Sequence, residues 1–300
     1  VIYKEVDVTD GRIKDGSLAI DELGDYIQYI AYQGCITSRK KYKNWAINSL
    51  IRMSRVFQSP KGIFYNHIFS RFLFKSLLTI KNADTFTGIV SLYIFTYEEC
   101  LTDIIERFID GIFKYFRLNG LIIYGYLVRD WAKIYISSLL FTGYFLEEVL
   151  NYVEKTDKYE YVPLVEDAIK SNMSNDYFRR YGIFQSRIPV DIKGTFWKLV
   201  YRILKGDNLL VTHLVKDNVY FLFALLKYYS ISKDNKIGDI IHNTYKKIKK
   251  LFFKNGLLYN MWHPSYGCIG NPSPLSLSHS LIELQIDLYH EFHHKQYLDD

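Results

Sequence analysis

The sequence predicts an all-α fold in which helical hairpins repeat along the chain and form an inner and an outer layer. Three observations support this prediction. Most apolar runs have helical spacing, one glycine-aromatic phrase recurs, and short turns alternate with long connections. Roughly five to six hairpins of this kind account for the chain. We expect residues 1–300 to form a single domain, with residues 1–20 as an N-terminal extension.

Helices are predicted wherever apolar residues follow a period near 3.6 or fill a longer run. Short alternating pieces such as Gly62 to Tyr65 are candidates for small strands, but no full sheet is predicted. The predicted helices are 21–33, 37–57, 85–96, 98–118, 130–142, 145–155, 163–181, 195–205, 217–230, 235–253 and 277–294.

One phrase recurs after the charged, amphipathic helices. Its first copy runs from Gly62 to Tyr65, later copies begin at Gly120 and Gly256, and a more divergent copy begins at Gly182. Because each glycine follows a helix, we expect it to adopt the left-handed conformation that commonly ends helices. The aromatic run behind it is then expected to fold back against the body of the protein.

A second phrase, out of phase with the first, begins the more apolar helices with an acid, at Asp25, Asp84, Asp130 and Asp217. A helix that is apolar nearly all round is expected to be buried, while its polar-faced partner meets water. The connections leading back to the apolar helices are long, so functional loops are expected where those helices begin. Backbone N–H groups and partial positive charge face a central opening there.

This layout, together with the repeated glycine phrase, resembles the (α/α)6 toroid of six-hairpin glycosidase-like proteins, a group of sugar hydrolases and lyases. The resemblance spans most of the chain, although residues 145–215 do not divide cleanly into hairpins. In that group the substrate lies in the funnel at the N-termini of the inner helices, where carboxylates act as general acid and base. The resemblance therefore implies a carbohydrate-active enzyme, either a glycoside hydrolase or a polysaccharide lyase.

The candidate catalytic residues are the four acids that begin the apolar helices. Glycoside cleavage needs one protonated carboxyl group at the leaving oxygen and one carboxylate that activates water or attacks carbon. Aspartate is also a preferred helix cap, so capping alone is the simpler explanation for any single one of them. Asp25 has the strongest context, because Asp21 and Glu22 stand beside it, and Glu22 is a candidate for substrate binding.

Aromatic residues and histidines near the same end are the candidate substrate contacts. The segment from Trp262 to Gly267 does not recur elsewhere and combines an aromatic side chain, His263 and a turn. His213 lies four residues before Asp217, and His279 begins the last inner helix. Histidine serves as an acid, a base or a hydroxyl partner near neutral pH. The remaining candidates are Tyr65, Tyr124, Trp131 and Tyr259, and loop anchoring is the alternative role of the three tyrosines.

Charge, hydropathy and motifs exclude several other functions. The net charge of +6 is scattered along helices without a nucleic-acid-binding module, so no nucleic-acid partner is expected. Charged residues interrupt every apolar run, so no membrane span is expected. Three sparse cysteines favour a reducing, cytoplasmic setting. The expected partner is a carbohydrate or another small-molecule ligand, and no cofactor is predicted because phosphate-binding glycine loops are absent.

The C-terminal run from His290 to His294 matches the H-E-x-x-H pattern of zinc proteases. A catalytic zinc ion needs a third protein ligand, and residues 295–300 offer none at a suitable spacing. We therefore predict no metal site. The run is expected to be a helix end, with Leu281, Leu284 and Leu288 packing inward.

Two alternatives to a carbohydrate-active enzyme stay open on the sequence. One is a non-catalytic toroid that binds a glycan, a lipid or a protein partner in its aromatic funnel. The other is a toroid that handles isoprenoids, which the apolar inner helices and the 27 Tyr and 20 Phe residues suggest.

Overall fold

A computed structural model describes residues 5–6, 13–15, 27, 29–30, 32–33, 40–65, 76–127, 132–191, 193, 213–272 and 275–298. Helices dominate these residues, which confirms the all-α prediction. The chain divides into two compact units. The first is Val1–Leu118, Ile122–Tyr135 and Glu154–Lys158, and the second is Asn119–Leu121, Ile136–Val153 and Tyr159–Asp300. That residues 1–300 form one domain stays a prediction.

The first unit is built around α1 (Lys40–Phe57), α2 (Ala83–Thr96) and α3 (Thr102–Tyr115). Helix α2 is apolar on nearly all sides, whereas α3 buries a single face, as expected of an inner helix and its amphipathic partner. The rings of Phe86 and Phe108 stack at 4.4 Å between the two helices. The strands here are β1 (Glu5–Val6), β2 (Ile13–Asp15), β3 (Leu77–Leu78), β4 (Arg117–Leu118) and most of β5 (Leu121–Leu127).

The second unit contains most of α4 (Leu139–Thr156), then α5 (Val162–Met173), α6 (Asp176–Tyr181), α7 (Val215–Ser232), α8 (Asn235–Phe252) and α9 (Leu275–Phe292). Helix α7 is buried along most of its length and packs against α8 and α9. The strands are the end of β6 (Ala132–Ser138), β7 (Arg187–Pro189), β8 (His213–Leu214), β9 (Phe253–Lys254), β10 (Leu257–His263) and β11 (Gly267–Pro272). β10 lies between β8 and β11 in an antiparallel sheet.

Two of the predicted helices are wrong in part. The helix predicted at 130–142 is replaced over 132–138 by β6, because Ile134, Tyr135 and Ile136 favour strand and residues 136–138 pair with β7. The helix predicted at 163–181 is divided into α5 and α6, since Asn175 caps α6 by accepting a hydrogen bond from the Tyr177 N–H at 2.9 Å. The long connections also form small sheets that the sequence did not predict.

The phrase glycines all adopt positive φ, with values of 88° at Gly62, 78° at Gly120, 70° at Gly182 and 76° at Gly256. The predicted left-handed conformation is therefore confirmed. Only Gly182 directly ends a helix, and its N–H donates to the Phe178 carbonyl at 2.8 Å. Gly120 and Gly256 each follow an asparagine of positive φ, and such Asn-Gly pairs form the tight turns that connect antiparallel strands.

In the first unit, a buried asparagine holds the glycine phrase against the start of the next helix. The Asn82 side chain accepts from the Phe64 N–H at 2.8 Å and donates to the Phe64 carbonyl at 3.1 Å and to the Leu78 carbonyl at 2.9 Å. Since an unpaired buried amide is costly, all three hydrogen bonds stabilise this connection. We call this arrangement the asparagine clamp.

The second unit repeats the asparagine clamp with different residues. The Asn218 side chain accepts from the Phe184 N–H at 2.7 Å and donates to the Phe184 carbonyl at 3.1 Å and to the Leu214 carbonyl at 3.0 Å. Phe184 belongs to the divergent phrase copy that begins at Gly182. Its pairing with Asn218 shows that this copy is a true structural repeat of the first one.

Helix α9 ends at Phe292, and His293 follows in the left-handed conformation with its N–H bonded to the Tyr289 carbonyl at 2.8 Å. Leu281, Leu284 and Leu288 are buried, which confirms the predicted helix end. Within the described ranges, no helix combines the length and the apolar character that a membrane crossing requires.

Candidate functional site

His213 lies on β8, directly before α7 in the second unit, where the asparagine clamp holds the neighbouring backbone. The His213 Nδ1 atom is 2.9 Å from the Phe184 carbonyl oxygen, which also accepts from Asn218. A carbonyl oxygen can only accept, so Nδ1 carries the proton and donates. The His213 side chain is fully buried. The predicted candidate is therefore held in one tautomer and one orientation.

Aromatic rings surround His213. Trp262 is its cross-strand partner on β10, with ring centroids 5.4 Å apart. Tyr181 approaches edge-on at 6.0 Å, and Tyr177 lies at 5.9 Å. Tyr181 also contacts Trp262 at 5.5 Å. The structure thus brings together two predicted residues, His213 and Trp262, in a cluster that is buried rather than open.

Asp217 lies in the first turn of α7, four residues after His213 and in the same unit as the aromatic cluster. Burial raises the pKa of its carboxyl group to about 7, against the opposing effects of a hydrogen bond from Ser186 and the positive charges of Arg187 and Lys216. The Ser186 hydroxyl oxygen also accepts the Leu214 N–H at 2.7 Å. Asp217 can therefore hold a proton near neutral pH in a fixed position.

The two asparagine clamps provide an internal comparison for these residues. Counting back from Asn82, the positions that correspond to His213 and Asp217 are Leu77 and Lys81. The first clamp forms with leucine and lysine there, so the fold does not require a histidine and an acid. By the same count Asp84 corresponds to Tyr220 and not to Asp217, because it lies two residues after its clamp asparagine.

The other predicted residues are more dispersed. Asp84, Tyr65 and Tyr124 are half-buried in the first unit, with Asp84 in the first turn of α2. In the second unit Tyr259 is half-buried on β10 and His279 is exposed on α9. The predicted candidates Asp25, Glu22, Asp130 and Trp131 lie outside the described residues.

The segment from Trp262 to Gly267 is the turn of the β10–β11 hairpin rather than an irregular loop. The Ser265 N–H donates to Nδ1 of His263 at 3.1 Å, so Nε2 carries the proton in the neutral ring. The rings of His263 and Tyr266 stack at 4.8 Å, and Tyr266 is 77% exposed. Trp262 faces the core while this pair reaches solvent.

A stacked pair of tyrosines was missed by the sequence interpretation. Tyr144 on α4 and Tyr220 on α7 have ring centroids 4.1 Å apart, and the Tyr220 hydroxyl is 3.2 Å from the Ser280 hydroxyl on α9. Gly143 permits this approach, because a Cβ there would come within 2.7 Å of the Tyr220 backbone. Both rings are half-buried and join three helices near their N-terminal ends.

A pocket of about 360 Å³ was also missed, at the C-terminal halves of the same three helices in the second unit. Phe223, whose ring lies 5.9 Å from that of Tyr220, forms part of its lining. Glu147, Asp287 and His290 line it as well. Its members come from helices far apart in sequence, so no local motif marks it. Within the described part of the chain, no group of three His, Cys, Asp or Glu residues could hold a metal ion.

Several solved structures similar to this chain are described as sugar-processing enzymes. A D-mannose isomerase aligns over 97% of this chain and 75% of its own, with a TM-score of 0.73 and 13% identity. A sugar epimerase from a ruminal bacterium aligns over 94% and 73%, with a TM-score of 0.72 and 8% identity. A family 76 glycoside hydrolase (mannosidase) from Bacteroides thetaiotaomicron VPI-5482 aligns over 97% and 76%, with a TM-score of 0.63 and 14% identity.

The chain shares the (α/α) toroid fold of these structures, which confirms the predicted fold class. The apolar helices α2, α7 and α9 correspond to inner helices that the sequence predicted, whereas α4 covers the end of one predicted inner helix, 130–142, and all of the predicted helix 145–155. At identities of 8–14% the likeness establishes the fold alone. No protein-family model and no curated protein sequence matches the chain.

Proposed function

We propose that the chain is a carbohydrate-active enzyme in which Asp217 is the general acid at the N-terminal end of an inner helix. One observation carries the proposal. His213 and Asp217 occupy positions where the first asparagine clamp has Leu77 and Lys81, so the repeat does not need them. Burying a histidine and a carboxyl group is unfavourable without a compensating gain, and catalysis is such a gain.

The environment of Asp217 suits proton transfer. A pKa of about 7 means that the carboxyl group is protonated below neutral pH and ionised above it. General acids work best when their pKa lies near the working pH, because they then hold the proton and release it readily. Glycoside cleavage requires such a donor at the leaving oxygen. Since the acid form is lost as pH rises through about 7, we expect activity to fall over that range.

Several predicted residues keep their proposed roles. His213, predicted as a substrate contact, is instead proposed as a positioning residue, because it is buried and contacts Trp262 and Phe184. His263 and Tyr259 on β10, with His279 on α9, are proposed substrate contacts, as are Tyr65 and Tyr124 in the first unit. Asp25, Asp84 and Asp130 are each proposed catalytic carboxylates, to be tested one at a time, and Glu22 and Trp131 are proposed substrate contacts. A cytoplasmic location stays a prediction.

The alternative of a non-catalytic glycan-binding protein also has one observation in its favour. The exposed fraction is only 5% for Asp217 and zero for His213, so both side chains also fit a purely structural cluster. The two functions differ in their consequence. An enzyme converts the sugar, whereas a binding protein returns it unchanged.

The deciding experiment is turnover of D-mannose, cellobiose and α-mannan at pH 6, with products resolved by chromatography. These sugars cover the isomerase, epimerase and hydrolase activities of the similar structures. We expect at least one to be converted, and Asp217→Asn to lower kcat about 100-fold or more, as loss of a general acid does. The exposed Asp239→Asn is the matched control and should keep full activity. Unchanged sugars throughout, or an active Asp217→Asn variant, would overturn the proposal.

A further inference from the structure

The pocket at the C-terminal halves of α4, α7 and α9 is separate from the acid at the start of α7. Its volume of about 360 Å³ lies at the lower end of the usual range for small-molecule sites. Phe223 and Leu226 supply apolar lining, while Asn151 and Ser230 supply an amide and a hydroxyl group. A small ligand with both carbon skeleton and polar groups matches this lining.

The charges around the pocket are predominantly negative. Glu147 from α4 and Asp287 from α9 line it, with Lys227 from α7 and His290 from α9 as the opposing groups. Glu291 also lines the pocket but already forms an ion pair with Lys233, at 2.6 Å. Two further acids, Glu148 on α4 and Glu283 on α9, lie close enough to affect Glu147. The acidic groups therefore outnumber the bases available to balance them.

Glu147 is the most informative member. Its side chain is half-buried and lines the pocket, and it forms no hydrogen bond or ion pair with any residue that the structure describes. Its neighbour Glu148, in contrast, accepts a hydrogen bond from Asn151 at 3.3 Å. A half-buried carboxyl group without a protein partner is only partly solvated, and the pocket beside it is where a partner fits.

The protonation state of Glu147 follows from the same surroundings. Burial, then the charges of Glu148, Glu283 and Asp287, raise its pKa to about 8, and Lys227 offsets this only in part. The pKa of Asp287 is raised by burial and by Glu283, with His290 opposing. At neutral pH Glu147 is thus a neutral acid that would ionise if positive charge entered the pocket.

The form of that positive charge is constrained by geometry. The pocket acids do not approach one another closely enough, with a third His, Cys, Asp or Glu from the described residues, to share a metal ion. They instead surround a space wide enough for a molecule of several carbon atoms. A primary ammonium group donates three hydrogen bonds and pairs with carboxylates from different directions.

We propose that this pocket binds a small, hydroxyl-bearing organic ammonium ion, with its ammonium group beside Glu147 and Asp287 and its hydroxyl groups at Asn151 and Ser230. On binding, the Glu147 carboxyl group releases its proton to solvent and the resulting carboxylate pairs with the ammonium ion. One proton therefore leaves for each ligand bound. The site does not depend on the proposed function of Asp217.

The test uses glucamine and sorbitol, which differ only by an ammonium group in place of a hydroxyl group. Isothermal titration calorimetry at pH 6, 7 and 8, in buffers of different ionisation enthalpy, measures affinity and proton release together. We expect glucamine to bind at least tenfold more tightly than sorbitol at pH 8. Its affinity should rise by roughly tenfold per pH unit below the pKa of Glu147, with about one proton released.

Variants assign the effect to the pocket. Glu147→Gln should weaken glucamine binding at pH 8 at least tenfold and remove both the pH dependence and the proton release. Asp287→Asn, at an exposed position on α9, should weaken binding at least fivefold and keep the pH dependence. Glu160→Gln, at an exposed glutamate after α4, is the matched control and should bind as the wild type does.

Three results would overturn the proposal: no glucamine binding to the wild-type protein, equal binding of sorbitol, or unchanged glucamine affinity in Glu147→Gln and Asp287→Asn. Equal binding of sorbitol would identify the pocket as a neutral polyol site. Turnover at Asp217 is measured separately, so either proposal can fail alone.

Discussion

The two asparagine clamps have the same hydrogen bonds but different neighbours. Asn82 and Asn218 each accept from one phenylalanine N–H and donate to that residue's carbonyl and to the carbonyl four residues before the asparagine. Around the first clamp the flanking positions are Leu77 and Lys81, and around the second they are His213 and Asp217. The difference separates the residues that the repeat needs in order to fold from the residues that are particular to the second copy.

The comparison of the two clamps indicates which residues can have a chemical role. Residues that recur in both copies, such as the clamp asparagines and the phrase glycines, are explained by folding. His213 and Asp217 do not recur, are buried, and are costly to bury, so the repeat itself does not account for them. This is why the general acid is proposed in the second copy and not in the first.

The largest loss of stability is expected when the clamp asparagines are substituted. Asn82→Ala and Asn218→Ala should each lower the free energy of unfolding by about 3–5 kcal/mol, since each leaves buried backbone groups unpaired. Chemical denaturation followed by circular dichroism measures the loss. Asn48→Ala, at an exposed position on α1, is the control and should change stability by less than about 0.5 kcal/mol. A small loss in either clamp variant would show that the two copies are not equivalent.

Substituting the phrase glycines should lower the free energy of unfolding by less than substituting the clamp asparagines, and by different amounts in the two copies. A Cβ at Gly62 would lie 1.9 Å from the Arg107 carbonyl oxygen, whereas one at Gly182 would meet only the flexible Lys247 side chain at 3.3 Å. Both positions have positive φ, which costs alanine about 1–2 kcal/mol. We expect Gly62→Ala to cost about 3 kcal/mol or more and Gly182→Ala about 1–2 kcal/mol. Equal losses in denaturation midpoint would contradict the close contact at Gly62.

The smallest change in stability is expected when His213 beside the second clamp is replaced by leucine, the residue type that Leu77 provides at the corresponding position of the first clamp. His213→Leu removes one hydrogen bond to the Phe184 carbonyl, which Asn218 still satisfies, so it should cost about 1 kcal/mol. A positioning role predicts that kcat on the converted sugar falls at least tenfold while KM changes little. If stability collapses instead, His213 belongs to the fold, and the comparison of the copies loses its meaning.

Part of this arrangement could be predicted from the sequence. The helical repeat and the positive φ of the phrase glycines were predicted correctly, and His213, Asp217 and Trp262 were chosen as candidates, because each has a local signal in spacing or composition. Ser186 and Tyr181 were missed, since only the folded chain brings them to α7. The strand at 132–138 was predicted as helix, because its pairing with β7 decided a locally ambiguous run. Glu147 was missed because the pocket joins three distant helices.

The most direct test of the central claim is the titration of Asp217 itself. Carbon-13 NMR of protein labelled at aspartate side-chain carboxyl groups follows each one from pH 4 to 9, and Asp217→Asn assigns the signal by its loss. We expect a midpoint of about 7, far above the 3.8 of an unperturbed aspartate, because burial outweighs Ser186, Arg187 and Lys216. A midpoint near 4 would mean that Asp217 is ionised at neutral pH, and it could not then be the general acid.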